Sequence, residues 1–354
     1  MKKFNIFSIF SIFFLSILLL NSCEKEIEFS NKITDPLIVV NSIITPDSII
    51  SANITKSKFF LANNETFDNI ENADVSVFVN GTFKEKMSYS ANGKYMATFA
   101  PNAGDVIELK VKVNGMPDVN CQTVVSQKPD FISIDTTINN LSYYTQTKYV
   151  TDSLGNVIKI DTISANLNFD MNVKIRFQDN ANEINYYRLS PKVLPGFNNS
   201  NSYSYGYVNV ALEGVLSDNN DASNLINISG SYNYYNIFSD EIFNGKEFTL
   251  TCTLNCYCTI NLKDSVTPYL YIDLQNINSD YYKYLYTRSM SSDSSDPFTE
   301  KVQIYSNVNG GIGILGAYNN GDNSTKINLL DLLKKAKSTH NNNYGGYNMK
   351  HKTK

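Results

Sequence analysis

Histidine is nearly absent from this 354-residue chain, because both of its histidines, His340 and His351, lie in the last fifteen residues. The body of the chain therefore has no imidazole for a Ser-His-Asp or Cys-His nucleophile or for an HExxH zinc site. Tryptophan, which carbohydrate-binding platforms favour, is absent. No long basic run occurs and the net charge is −4, which argues against nucleic acid as a partner. These absences favour a protein with no cofactor and no metal that is not an enzyme.

The N-terminus has the organisation of a secretory signal peptide. Lys2 and Lys3 precede an apolar stretch from Phe4 to Leu20, and this order of segments is typical of signal peptides. This apolar stretch is 17 residues long and four of those residues are Asn or Ser. About seventeen residues is the short limit for a helix that spans a bilayer, so a retained membrane helix is the less favoured alternative. We therefore expect residues 1–22 to be removed.

The residues around the expected cleavage point, Leu-Asn-Ser-Cys at 20–23, resemble a bacterial lipobox. In lipoproteins with this motif the cysteine thiol carries a diacylglycerol thioether, and the new N-terminus is acylated after cleavage. The resemblance implies that Cys23 is lipidated and that residues 23–35 form a tether. Several acyl chains anchor a protein stably, since each buried CH₂ contributes about 0.8 kcal/mol. The acidic cluster at 24–28 resembles the export signal of some Bacteroidota lipoproteins, which implies the extracellular side of the outer membrane.

Residues 36–128 have the pattern of a small β-sandwich. Short alternating segments recur there with turn signals between them, and Asn80-Gly81 is a strong hairpin signal because both residue types tolerate positive φ. About seven short strands in this length predict an immunoglobulin-like β-sandwich.

Two longer segments, 167–178 and 248–262, alternate strictly between apolar and polar residues. A period of two over such lengths predicts strands that are buried on one face and solvated on the other. We expect the second of them to turn at 264–267 into a partner strand near 269–275. Residues 129–325 are therefore predicted to form a larger antiparallel β domain, and the whole chain to be mainly β.

Helices are expected only near the C-terminus. Ser279 is a candidate cap for a helix on which Tyr281, Tyr284, Leu285 and Arg288 share a face. Residues 326–354 are expected to form a short helix followed by a basic tail.

Four cysteines remain besides Cys23, and their chemistry is open between buried free thiols and a disulfide. Alternation places Cys252, Cys256 and Cys258 on one apolar face of a strand. The Cα atoms of residues two positions apart on a strand are separated by about 6.6 Å, so a disulfide between Cys256 and Cys258 would be strained. The lack of a histidine in the body of the chain argues against a zinc site. The candidates for a disulfide are Cys121, Cys252, Cys256 and Cys258.

Tyrosine is abundant, with 24 residues. Exposed tyrosine rings can stack on sugars or anchor a protein partner, and the alternative is that they fill core and half-buried strand positions. The best-placed candidates for ligand binding are Tyr203, Tyr205 and Tyr207, in an Asn/Ser/Tyr-rich stretch at 197–207 that is expected to form a loop.

Six segments together resemble one protein family, the outer-membrane lipoproteins known as domain of unknown function 4249. They are 36–57, 71–81, 92–95, 238–250, 278–285 and 296–319, and the last resembles the closing motif of the family. Members are typically encoded near TonB-dependent outer-membrane transporters, which implies an accessory lipoprotein in nutrient capture. No catalytic residues are established for the family, so the resemblance implies none here.

These observations predict a binding lipoprotein anchored in the outer membrane that assists a TonB-dependent transporter. The alternative is a surface adhesin or glycan-binding protein that works without a transporter. A hydrolase with a carboxylate pair is a further alternative, although no local motif identifies such a pair. The ligand is not identified by the sequence.

Overall fold

The computed structural model describes residues 35–58, 67–194, 205–216, 235–263, 265–292, 302–321 and 325–343. The expected signal peptide at 1–22 and the lipidation candidate Cys23 lie outside these ranges. Among the residues that are described, no helix combines the length and the apolar character needed to cross a membrane.

The described residues form mainly β-strands, with two short α-helices among them, which confirms the expected fold class. The helices are α1 (Ser279–Ser292) and α2 (Leu329–Asn343), and Gly214–Leu216 forms a 3₁₀ turn. The strands are β1 (Ile38–Ile44), β2 (Ser51–Lys56), β3 (Asp74–Val79), β4 (Thr82–Lys86), β5 (Ser88–Tyr89), β6 (Lys94–Met96), β7 (Val106–Lys112), β8 (Val119–Val124), β9 (Asp130–Thr151), β10 (Val157–Gln178), β11 (Tyr186–Leu194), β12 (Tyr205–Leu212), β13 (Ile237–Ser239), β14 (Glu247–Asn261), β15 (Tyr269–Ile277), β16 (Val308–Asn309), β17 (Ile312–Asn320) and β18 (Thr325–Asn328).

Three sheets organise these strands around two main cores. A nine-stranded sheet has the order β13-β11-β15-β17-β1-β2-β6-β5, with β18 paired to β15. A five-stranded sheet, β16-β8-β7-β3-β4, covers one part of it, and a four-stranded sheet, β12-β14-β10-β9, faces another part. The long sheet therefore contributes to both cores.

The first core is a two-sheet sandwich, consistent with the immunoglobulin-like architecture expected for 36–128. Its buried side chains, such as Val40 of β1 and Leu109 of β7, come from both sheets. The expected boundary at residue 128 does not separate this core from the rest, because β16 and β17 complete it. Strand β17 pairs in parallel with β1, strand β16 pairs with β8, and Leu315 is fully buried among the N-terminal residues.

The second core contains the two strands with strict alternation. Strands β10 and β14 are antiparallel neighbours, with Leu167 opposite Cys258 and Ile175 opposite Leu250. Their apolar side chains are buried against β15, which contributes Leu270 from the facing sheet. The predicted burial of one face is therefore confirmed over both strands.

The predicted partner of β14 is wrong. Strand β15 does follow at 269–277, but it pairs with β11 in the nine-stranded sheet rather than with β14. Both neighbouring positions of β14 are filled by β10 and β12. The chain therefore crosses from one layer to the other, and the apolar face of β15 reaches the same core from the opposite side.

The Asn80-Gly81 turn is reproduced, whereas the cap of α1 is shifted by one residue from its expected position. Asn80 and Gly81 have φ of 52° and 78° between β3 and β4, as the Asn-Gly turn requires. The cap of α1 is Asn278 rather than the expected Ser279, because the Asn278 Oδ1 atom accepts the N–H of Tyr281 at 3.1 Å.

Candidate binding surfaces

The four described cysteines are buried free thiols. Cys121 lies in the first core, whereas Cys252, Cys256 and Cys258 line the inner face of β14 in the second core. Burial raises the pKa of Cys121, Cys252 and Cys258 to about 12, and it also raises the pKa of Cys256. Within the described ranges no three His, Cys, Asp or Glu side chains are grouped so as to hold a metal ion. These thiols act as small apolar core groups.

We expect the folded, lipidated protein not to react with a thiol reagent such as DTNB at mildly alkaline pH. Thiolate is the reactive form, and burial both removes access and disfavours ionisation. Once unfolded in denaturant, the protein should release four equivalents, one for each of the four described cysteines. Fewer than four would indicate a disulfide, and fast reaction in the folded state would contradict the burial.

Two of the three candidate ligand-binding tyrosines lie on the solvent face of the four-stranded sheet. Tyr205 and Tyr207 are on strand β12 rather than in the expected loop, with ring centroids 6.3 Å apart, and Tyr203 lies outside the described residues. Tyr207 is 69% exposed and lies opposite Tyr257 of β14. The Tyr257 hydroxyl is 2.9 Å from the hydroxyl of Tyr144, which is on β9. We call Tyr144, Tyr205, Tyr207 and Tyr257 the tyrosine face.

Alternation along β12 explains why these rings point outward. Val208 and Val210, which lie on the opposite face of β12 from the tyrosines, pack against the second core, so Tyr205 and Tyr207 face solvent. Gly206 lies on the inner side opposite Cys258. A Cβ atom there would be 2.7 Å from the Val193 Cγ2 atom, so only glycine lets β12 approach the core this closely.

Amide and carboxylate groups extend the tyrosine face along the same sheet. The Asp170 carboxylate accepts hydrogen bonds from the side-chain amides of Asn140 at 2.7 Å and Asn255 at 2.8 Å. These two bonds hold the pKa of Asp170 below its usual value. Thr259 donates a 2.6 Å bond to the Asn166 side chain. The aromatic groups are thus bordered by polar side chains that are already hydrogen-bonded to one another.

The tyrosines of α1 have a different role. Tyr281 is 8% exposed, and Tyr282 stacks on Tyr186 with ring centroids 4.4 Å apart. These contacts form a small aromatic core between the helix and the nine-stranded sheet. Packing therefore accounts for most of this cluster.

Two clefts lie on either side of this packing. One, with a volume of about 450 Å³, lies between α1 and the nine-stranded sheet and includes Arg188 and Arg288; we call it the arginine cleft. The other, of about 420 Å³, lies between the end of β8 and the start of α1. It is lined by five carboxamide side chains, those of Gln122, Gln127, Asn185, Asn276 and Asn278. Neither cleft could be identified from the sequence, because each one combines residues from distant segments.

Comparison with protein families gives a match that covers most of the chain. The model described as Domain of unknown function (DUF4249) matches residues 24–324. The chain belongs to the DUF4249 family. The family resemblance inferred from the six sequence segments is therefore confirmed, and the match spans strands β1 to β17.

Two solved structures have weak similarity to this DUF4249 chain. A Corynebacterium diphtheriae protein described as membrane anchored has 12% identity and a TM-score of 0.18, and the match covers 69% of this chain and 55% of that protein. The collagen-binding domain of Erysipelothrix rhusiopathiae surface protein RspB has 11% identity and a TM-score of 0.11, with coverage of 83% and 97%. This chain thus spans little more than half of the first protein. A comparison with curated protein sequences gives no match.

The closing segment of the DUF4249 chain has glycines at positions where β1 and α1 come very close to its backbone. In β17, a Cβ atom on Gly313 would be 2.0 Å from the Val40 carbonyl oxygen of β1. A Cβ atom on Gly316 would be 2.9 Å from the Tyr281 Cβ atom of α1. These residues let β17 pair with β1 on one side while α1 packs on its surface. The residues at 296–301 of this segment lie outside the described ranges.

Proposed function

We propose that this protein is a lipid-anchored binding protein on the extracellular side of the outer membrane, where it assists a TonB-dependent nutrient transporter without catalysing a reaction. The lipobox-like motif ending at Cys23 supports the anchor. Membership of the DUF4249 family supports a role in the bacterial envelope.

The tyrosine face is the observation that carries the proposal. Large aromatic side chains that are surrounded by polar groups provide much of the binding energy of protein interfaces. The hydroxyls of Tyr144 and Tyr257 are already hydrogen-bonded to each other, so these side chains lose little conformational freedom when a partner binds. An open sheet face suits a folded protein surface, whereas small molecules need a concave site.

The buried carboxylates support a role without catalysis. Asp179 accepts hydrogen bonds from the Tyr187 hydroxyl at 2.6 Å and from the Gly245 N–H at 2.7 Å. Asp240 is fully buried, which raises its pKa, and it accepts the N–H of Asn185 at 2.8 Å. A carboxylic acid that cleaves a glycosidic bond must contact the substrate. A fully buried carboxyl that orders its own loops does not meet that requirement.

Co-purification tests the proposal. Tagged protein is recovered from native outer membranes dissolved in mild detergent, and we expect a TonB-dependent transporter to be recovered with it. The double variant Tyr207→Ala, Tyr257→Ala should reduce the recovered transporter at least about tenfold, because central aromatic anchors contribute about 2 kcal/mol each.

Phe83→Ala is the matched control, since Phe83 is an aromatic side chain on β4 that is 52% exposed and lies in another sheet. It should leave recovery unchanged. Wild-type protein that is recovered without any transporter contradicts the accessory role. Equal recovery with the double variant would instead overturn the role of the tyrosine face.

The second candidate function is a glycan-binding adhesin that works without a transporter. The hydrogen-bonded amides around Asp170 favour it, because such groups can pair with sugar hydroxyls. A glycan array probed with the mature protein should then give binding that the same double tyrosine variant abolishes, with no transporter recovered from membranes.

A further inference from the structure

The arginine cleft is a second concave site, separate from the tyrosine face. Its volume of about 450 Å³ is in the lower part of the range of small-molecule sites. One wall is formed by Tyr281, Tyr284, Leu285 and Arg288, which share one face of α1. The opposite wall is the outer surface of the nine-stranded sheet.

Arginine is scarce in this protein, so the presence of arginine in this cleft is informative. The chain has only three arginines, Arg176, Arg188 and Arg288, although Lys and Arg together number 30. Two of the three line this cleft, and none of its described lining residues is Asp, Glu or Lys. A guanidinium is planar and binds a carboxylate with two parallel hydrogen bonds, which a lysine cannot do. The cleft therefore carries positive charge in the form best suited to carboxylate recognition.

Protein contacts hold Arg188 in place and leave part of its hydrogen-bonding capacity open. Its Nε atom donates to the Tyr235 carbonyl oxygen at 3.2 Å, and its Nη1 atom donates to the Tyr281 hydroxyl at 3.0 Å. No carboxylate of the described chain forms an ion pair with this half-buried guanidinium. Its Nη2 group has no hydrogen-bond partner in the same described ranges. A guanidinium that is fixed in this way can bind an anion with little loss of conformational freedom.

Arg288 lies at the open side of the same cleft. Its Nη1 atom donates to the Tyr284 hydroxyl at 3.0 Å, and its guanidinium carbon is 5.9 Å from the centre of the Tyr284 ring. The side chain is exposed, whereas Arg188 is deeper. The two arginines thus provide one inner and one outer positive group.

The sheet wall offers neutral hydrogen-bonding groups beside an apolar surface. Asn41 of β1 and Asn53 of β2 are neighbours in the antiparallel register, and both are exposed. Ile43 and Ile314 lie next to them in the cleft. Amide side chains that flank an apolar strip suit a ligand with several hydroxyl groups on a carbon ring.

We infer that the arginine cleft binds a carboxylate-bearing sugar, such as a uronic acid at the end of a glycan. Arg188 binds the carboxylate from inside the cleft, Arg288 contributes from its rim, and the amides of Asn41 and Asn53 accept and donate to the sugar hydroxyls. A neutral sugar lacks the group that Arg188 recognises, and inorganic phosphate lacks the hydroxyl-bearing ring that fits the sheet wall.

Isothermal titration of the full mature protein in detergent with glucuronate, galacturonate, glucose and inorganic phosphate tests this inference. We expect saturable binding of at least one uronic acid, and no comparable binding of glucose or phosphate. Arg188→Gln should raise the dissociation constant at least about tenfold, as expected when a hydrogen-bonded charge pair is lost. Arg288→Gln, at an exposed position where folding is not at risk, should raise it by a smaller factor.

Arg176→Gln is the matched control. Arg176 is the third arginine, but it lies on the four-stranded sheet and pairs with Glu247 at 2.6 Å. This variant should bind the uronic acid as the wild type does. Dissociation constants above about 1 mM for both uronic acids, phosphate binding as tight as theirs, or binding that persists in both cleft variants would each overturn the inference. The Arg188 variant should still recover the transporter, so this outcome is distinguishable from a failure of the proposed function.

Discussion

Replacing Cys23 with serine should abolish fatty-acid labelling of the protein and remove it from the outer membrane. The lipobox resemblance assigns the thioether to the sulfur of Cys23, and a serine hydroxyl cannot replace it. The acyl chains attached at Cys23 are the proposed source of stable attachment. The expected change is all-or-none: no incorporation of an alkyne-labelled fatty acid, and a chain larger by the uncleaved residues 1–22.

Cys121→Ala is the control for this experiment. It removes a thiol that is buried in the first core, leaves Cys23 intact, and should retain both labelling and outer-membrane location. Labelling of the Cys23→Ser protein at the wild-type level would show that the lipid is attached elsewhere. The anchor would then need another explanation.

The second large effect concerns the strand that joins both cores. Gly313→Ala should lower the free energy of unfolding by about 3 kcal/mol or more, or prevent folding. Gly313 has a φ of 120°, which L side chains rarely adopt, and its added Cβ atom would be 2.0 Å from the Val40 carbonyl oxygen. That oxygen belongs to the backbone of a paired strand, so it cannot move aside without breaking the β1–β17 register.

Gly321→Ala is the matched control, because Gly321 follows directly after β17. Its added Cβ atom would meet nothing closer than the Leu274 carbonyl oxygen at 3.5 Å, an ordinary contact distance. We expect a change of about 0.5 kcal/mol or less in urea-induced unfolding. Equal unfolding midpoints for the two variants would contradict the packing assigned to Gly313.

The sequence predicts which face of a strand is buried more accurately than it predicts which strands pair with each other. Alternation at 167–178 and 248–262 correctly identifies the inner faces of β10 and β14, because one face of each contacts the core along its whole length. The same pattern cannot show that β15 crosses to the opposite sheet, since a period of two describes burial and not pairing. For the same reason the return of β17 to pair with β1, which lies more than 250 residues earlier, could not be predicted.

The candidate sites were predictable to different degrees. Tyr205 and Tyr207 could be selected from their place in an Asn/Ser/Tyr-rich segment, but the composition of that segment predicts a loop, and the structure places both residues on strand β12. Tyr144 and Tyr257 join them only through the sheet order, which no local pattern gives. Arg188 and Arg288 are one hundred residues apart. Their meeting depends on the packing of α1 across the nine-stranded sheet. The scarcity of arginine in the composition was the one signal that could have drawn attention to them.

The intact mass of protein extracted from native membranes tests the anchoring of this binding protein most directly. We predict a chain that begins at Cys23, with a mass above that of residues 23–354 by a diacylglyceryl group and an additional acyl chain. A mature chain with an unmodified thiol at Cys23, or a full-length chain recovered from the cytosol, would contradict a lipid-anchored envelope protein and the functions proposed from it.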